Sequence, residues 1–132
     1  MDITISQEQG RVPVTVFRIR GNVDAATAGE FERKVREATA AGTRHLLLDM
    51  QDIPFISSAG LRAIHAAFIE LRNLTPDMPD KDMRDGINAG TYKSPQLKLL
   101  NPSTNVSTAL HTAGFDMYLE SHTNLKKAVA SF

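Results

Sequence analysis

Three consecutive leucines, Leu46 to Leu48, lead through Asp49-Met-Gln-Asp-Ile-Pro-Phe-Ile56 into two adjacent serines, and an amphipathic helical pattern begins on those serines. A continuous apolar run of this kind suits a strand covered on both faces. A strand that passes through a short loop into a helix is half of a βα unit, and such units build parallel sheets. After Ser58 the pattern puts Leu61, Ile64, Phe68 and Leu71 in one buried stripe, with Arg62, Glu70 and Arg72 off it. Ser57 and Ser58 therefore sit where unpaired N–H groups and the positive end of a helix dipole meet solvent. A hydroxyl there can cap the helix, or it can be offered to another protein's kinase.

The flanking sequence extends this pattern. Ile3 and Ile5 alternate with Thr4 and Ser6 as a short strand, Gln7 to Arg11 reads as a hairpin turn, and the β-branched run Val12 to Ile19 reads as a second strand. Pro13 near its start points to an edge or a bulge. Gly21-Asn22 breaks that strand. Asp24 is placed to cap a helix that carries Ala28, Phe31, Val35 and Ala38 and ends at Gly42. Arg44 to Met50 is the third strand. Thr75 to Ser94 has no periodicity and reads as a long loop. Gln96 to Leu100 is a strand, and Asn101-Pro102 opens a helix with Val106, Ala109, Leu110 and Ala113, closed by Gly114. Phe115 to Leu119 reads as a short last strand. Ser121 or Thr123 then caps a final helix with Leu125, Val129 and Phe132 inward. The order β-β-α-β-α-β-α-β-α predicts an α/β fold with a mixed, mostly parallel sheet and about four helices. It predicts one domain over 1–132 with a loop insertion at 75–94.

Composition removes several functions. The 132 residues carry 15 basic and 15 acidic side chains, so no electrostatic footprint for nucleic acid or an anionic membrane exists. With no cysteine there are no disulfides, thiolate metal sites or thiol catalysis, which fits a reducing compartment. No apolar run approaches the roughly 20 residues that span a bilayer, and the acidic, alternating N-terminus is unlike a signal peptide.

Ile56-Ser57-Ser58-Ala59-Gly60-Leu61-Arg62 after an apolar strand, together with Gly21-Asn-Val-Asp24 after an earlier one, resembles the STAS domain. More narrowly it is similar to bacterial anti-sigma factor antagonists of the sporulation and general stress-response type, over about 1–74 and 95–132. In that family the serine loop reads Asp-Ser-Ser/Thr-Gly-Leu, and the first serine takes phosphate. Alignment on Gly60-Leu61 puts the implied phosphoacceptor at Ser58, with Ser57 in the place of the family's Asp and Ala59 in that of the second hydroxyl residue. The resemblance implies a cytoplasmic, non-enzymatic switch in transcription regulation. Unphosphorylated, it binds a GHKL-type serine kinase that is also the anti-sigma factor; phosphorylation ends the binding, and a PP2C-type phosphatase restores it. It needs no cofactor of its own, because the kinase brings ATP and Mg²⁺. Asp24, Ser57, Ala59, Gly60 and Arg62 are the implied partner contacts, and self-association stays open. Taken alone, Asp24 reads as a plain N-cap after a turn glycine. Asp49, at the end of its strand, is either a loop-steering acceptor or an exposed carboxylate.

Other candidates fall short. His45, His65, His111 and His122 lack metal-ligand spacing. From Asp80 a calcium-loop pattern fails, with Arg84 at the fifth place and Thr91 at the twelfth. Gly86 to Lys93 lacks the lysine position of a phosphate loop. Both read as solvated loop, and no catalytic constellation is visible. The alternative function is a STAS module of another signalling assembly, a stressosome-like scaffold or a ligand- or nucleotide-binding regulator. The 75–94 insertion, as a docking surface or lid, motivates it.

Overall fold

The computed structural model describes residues 1–132. An N-terminal hairpin pairs β1 (Asp2–Gln9) antiparallel with β2 (Pro13–Arg20). The chain continues through α1 (Ala28–Ala40), β3 (Leu46–Asp52), α2 (Ser58–Leu74), α3 (Asp80–Ala89), β4 (Leu97–Leu100), α4 (Thr104–Thr112), β5 (Ser121–His122) and α5 (Leu125–Ala130). The strands form one sheet in the order β1-β2-β3-β4-β5, parallel from β2 onward. This is the expected mixed, mostly parallel α/β sheet, with a fifth helix supplied by the 75–94 segment.

Strand alternation divides the core. Phe17, Leu48 and Leu99 lie in register across β2, β3 and β4, and with Ile19, Leu46, Met50 and Leu97 they face α1, α2 and α4. Phe31 and Val35 of α1 and Ile64, Phe68 and Leu71 of α2 pack on that face. The opposite face is smaller. Val14, Val16, Leu47 and Leu100 are covered there by Ala128 and Val129 of α5. The leucine trio is fully buried because both faces are covered.

Several expectations are corrected. Pro13 marks neither an edge nor a bulge: it is the first residue of an interior strand, opposite Gln9 at the end of the ladder, where a proline is tolerated, and the register shift lies between Arg18 and Arg20. Residues 115–119 are not a strand. Gly114 adopts φ 79° and turns the chain into a 3₁₀ turn at Phe115–Met117, which puts Tyr118 and Leu119 in the core, and the last strand comes after them. The start of α4 is capped by Ser103, not opened by Asn101-Pro102, and Asn124 caps α5 through a bond from the Lys127 amide. Leu125 is exposed, not inward.

The 75–94 segment is not loop either. Asp80 and Asp82 occupy the first turn of α3, and Gly90 ends it at φ 75°. Only Met83 is buried on this helix, with Ile87 half-buried on it and Met78 half-buried just before it, too sparse a stripe to read as periodic. Arg72 is not off the buried face of α2 but 2% exposed. Its guanidinium donates to Asp80 Oδ1 at 2.5 Å and to the Met78 carbonyl, and so ties α3 to α2.

Candidate functional site

The C-terminal ends of β2 and β3 carry the two loops that the sequence singled out, and backbone bonds join them. The Val23 amide donates to the Phe55 carbonyl at 3.1 Å, and the Ser57 amide donates to the Val23 carbonyl at 2.9 Å. Val23 and Ile56 thereby form an isolated parallel bridge beyond the ends of the regular strands. Gly60 is required at this crossing. A Cβ there would lie 2.3 Å from the Val23 carbonyl oxygen and 2.8 Å from Ile56 Cγ1. The first turn of α2 can approach the 21–24 loop only because that side chain is absent.

The adjacent serines divide the work. Ser57 is extended, at φ −92° and ψ 175°, and its Oγ accepts the Gly60 amide at 3.2 Å. It is the N-cap of α2. Ser58 is the first helical residue, is exposed, and makes no side-chain hydrogen bond. No acidic residue lies in the first turn of α2. The free N–H groups there and the helix dipole thus meet no competing carboxylate on their own helix. Arg62 follows Ser58 by four residues, hence on the same side of the helix, and is exposed.

Asp24 is mainly structural. Its Oδ1 accepts the amides of Ala26 and Thr27 at 3.0 and 3.2 Å, and its carbonyl accepts the Ala28 amide at 2.8 Å, so it closes the turn before α1 and is not the N-cap expected from the sequence, a place that Thr27 takes. Thr27 Oγ1 donates to the Asn22 carbonyl and closes the loop. Ala59 is half-buried and Gly60 buried. Asp49 lies within β3, not at its end, and its Oδ1 accepts the Gln51 amide at 3.2 Å. The start of α4 joins the same end of the sheet, where Ser103 Oγ donates to the Ile53 carbonyl at 3.2 Å. Three helices thus begin beyond the carboxyl ends of the parallel strands, the usual place for binding sites in such sheets.

Sequence reasoning missed Phe55, which is 53% exposed two residues before the cap. The signal was an aromatic following Pro54, outside any periodic stripe. The four histidines are dispersed. His45 packs edge-on to Phe132, His65 Nδ1 lies 2.9 Å from the Tyr118 hydroxyl, His111 pairs with Asp116, and His122 faces Ser131. No group of three or more His, Asp or Glu is placed to hold a metal ion. No helix is long and apolar enough to cross a membrane.

The STAS domain family model matches residues 5–75, more than half of the chain, and the chain belongs to that family. Solved structures extend the likeness of fold to almost the whole length. An anti-sigma factor antagonist from Mycobacterium paratuberculosis is 18% identical, with 98% of this chain and 93% of that one covered and a TM-score of 0.68. A Thermotoga maritima protein provisionally assigned as an anti-sigma factor antagonist is 14% identical over 96% and 90%, with a TM-score of 0.71. The Bacillus cell-fate determinant SpoIIAA in its phosphorylated form is 15% identical over 96% of each chain, with a TM-score of 0.61. Among curated proteins no sequence matches.

Proposed function

We propose that this chain is an anti-sigma factor antagonist switched by phosphorylation of Ser58. The observation that carries the reading is the contrast between the serines: Ser57 Oγ is held in the helix cap, while the Ser58 hydroxyl is exposed and uncommitted. Similarity in fold to antagonists, among them one solved in both unphosphorylated and phosphorylated forms, supports the class. Unphosphorylated, the Ser58 end docks a GHKL-type serine kinase that is also the anti-sigma factor, which frees the sigma factor. The kinase then uses its own ATP and Mg²⁺. Ser58 Oγ bonds to the γ-phosphorus, the bond to ADP breaks, and the hydroxyl proton passes to a base of the kinase. A PP2C-type phosphatase hydrolyses the ester. The chain supplies no catalytic group and no cofactor, acts in the cytoplasm as one STAS domain over 1–132, and contacts neither nucleic acid nor membrane.

Electrostatics explains how one group could separate the partners without unfolding the domain. Phosphoserine adds about −1.5 to −2 charge. The dipole and free amides of α2 accept that charge in the isolated domain, and Arg62 lies one turn away. A partner packed on Asp24, Phe55, Ser57 and Ala59, with the buried Gly60 only shaping the loop beneath it, would instead trap an unpaired anion away from water, at a cost of several kcal/mol. Incubation with the cognate kinase and ATP tests this. Ser58→Ala should bind the kinase and take up no phosphate, and Ser58→Asp should bind more weakly than wild type. A phosphoryl mass shift that persists in Ser58→Ala would place the acceptor elsewhere.

A second reading, a module of another signalling assembly, is favoured by the helix within the insertion. Helix α3 presents Lys81, Arg84, Asp85 and Asn88 to solvent. Beside it lies a cavity of about 460 Å³ lined by Asp77, Asp82, Tyr92 and Lys93 among others. Lys81→Glu with Arg84→Glu separates the readings: unchanged kinase affinity would leave α3 free to serve a different partner.

A further inference from the structure

The two edges of the sheet are unlike. At one edge β5 is two residues long. At the other, β1 runs for eight residues and pairs only with β2. No backbone hydrogen bond outside that ladder involves residues 2–9. Every second N–H and C=O along β1 therefore points outward without a partner. All of its residues are exposed except the half-buried Ile3, and Ile5 is 43% exposed. Only two charges, Asp2 near one end and Glu8 near the other, guard this edge, and its middle five residues are uncharged. Within β1 there is no proline, lysine or arginine, and its ladder with β2 has no bulge.

We infer that β1 pairs antiparallel with β1 of a second copy of this chain across a two-fold axis, so that two five-stranded sheets become one. Three features favour a copy over a foreign strand. A two-fold axis normal to the sheet keeps each side chain on its own face, so Ile3 and Ile5, which stand beside Ile19 and Phe17 on the helix side, meet the matching face of the copy. With Ser6 opposite Ser6, Thr4 faces Glu8 and Ile5 faces Gln7, and no like charges oppose. A shift that centres the pairing on Ile5 would set Asp2 against Glu8 twice, which selects the first register. The chain also carries no net charge, so two copies approach without long-range repulsion. The inference does not depend on the role proposed for Ser58, which follows β3, two strands in from this edge.

Sedimentation of the full chain without any partner tests the pairing. The expected result is a concentration-dependent dimer whose dissociation constant rises about tenfold or more in Ile5→Lys. The chain contains no cysteine, so Ser6→Cys offers a clean second probe. Its two copies should cross-link under mild oxidation, because opposed Cα atoms lie about 4.5–5.5 Å apart. Thr4→Cys, facing Glu8, should not. Circular dichroism verifies that each variant is folded. A wild-type monomer at the highest soluble concentration would overturn the inference, as would a dimer that Ile5→Lys leaves intact or that Ser6→Cys fails to lock. So would a monomer whose residues 2–9 gain exchange protection only when another protein is added, since that outcome assigns the edge to a foreign strand.

Discussion

Helix α2 is bounded by two segments that hold their shape by opposite means. At its N-terminal end the serine loop is fixed by backbone bonds to Val23, by a neutral cap and by the lack of a side chain at Gly60. At its C-terminal end the 75–94 segment is fixed by a buried cation. Arg72 reaches Asp80, the Met78 carbonyl and, at 4.0 Å, Asp77, while Tyr92 donates to Asp77 at 3.2 Å and Gln96 donates to the Thr75 carbonyl. One end thus has no charge committed and its hydroxyl free. The other already confines a buried guanidinium, whose loss would leave the Met78 carbonyl without its donor. The contrast teaches where a new charge can be added without loss of fold, and it favours the serine end for a switch.

Arg72→Ala should have the largest effect. Removing a buried guanidinium leaves the Met78 carbonyl without its donor and a void beneath α3. Asp80, mostly exposed, regains water and softens the loss. The expected cost is about 3 kcal/mol in denaturant unfolding. A cost below about 0.5 kcal/mol would mean that the insertion is held by Met83 and Tyr92 packing alone, and the contrast would fail. Gly60→Ala should come next, at about 1–3 kcal/mol, because the new methyl must separate the two loops by more than a side-chain adjustment. It should also weaken partner binding by more than its stability loss accounts for, since it displaces the Ser58 loop itself.

The paired serines sharpen the comparison within a single loop. Ser57→Ala should cost about 1 kcal/mol by removing the cap of α2. Ser58→Ala should stay within about 0.5 kcal/mol of wild type, since its hydroxyl holds nothing. Phosphate uptake should follow the reverse order, abolished in Ser58→Ala and retained in Ser57→Ala. Thermal unfolding and intact-mass measurement on the same two variants read both orders. Equal stability losses would remove the division of labour on which the acceptor assignment rests.

The serine end was legible in the sequence and the insertion was not, for physical reasons. A buried parallel strand must be a continuous apolar run, and a helix that starts beside it must have a small polar cap, so Leu46 to Ser58 declares itself. The pairing of the 21–24 and serine loops was not legible, because a bond between Val23 and Ser57 leaves no local pattern; the family resemblance only gave both loops to the same partner surface. Helix α3 hid because its contact with the core rests on one buried residue, Met83, while its real anchor is Arg72 on another helix. Helical spacing alone places Arg72 on the stripe, one position after Leu71, but residue type argued for solvent. The boundary signals of α3 were present in Asp80, Asp82 and Gly90, without the periodicity that would have made them persuasive. Phe115 to Leu119 misled in the other direction. Its apolar density suggested a strand, yet Phe115, Tyr118 and Leu119 follow the spacing of a single helical turn.

The Tyr92–Asp77 contact adds little at neutral pH, and alkali should expose it. Burial and the nearby Asp77 carboxylate push the Tyr92 hydroxyl up to about 12. Its ordinary value is 10.0, so the folded protein holds this proton more tightly than the unfolded chain does. The stabilisation is complete below the ordinary value and is lost as pH rises through the folded one, between about 10 and 12. Tyr92→Phe should cost no more than about 1 kcal/mol at pH 7, the worth of one hydrogen bond. It should also flatten the fall in stability over the alkaline window. Tyr118, raised further by burial, should ionise after Tyr92, so the ultraviolet titration of wild type should show two steps and that of Tyr92→Phe only the later one. Hydrogen exchange in the same window should quicken at 75–94 before it quickens at the serine loop, which contains no group that titrates there. Simultaneous loss of protection at both ends of α2 would mean that the two segments open as one unit, and the distinction between them would not survive.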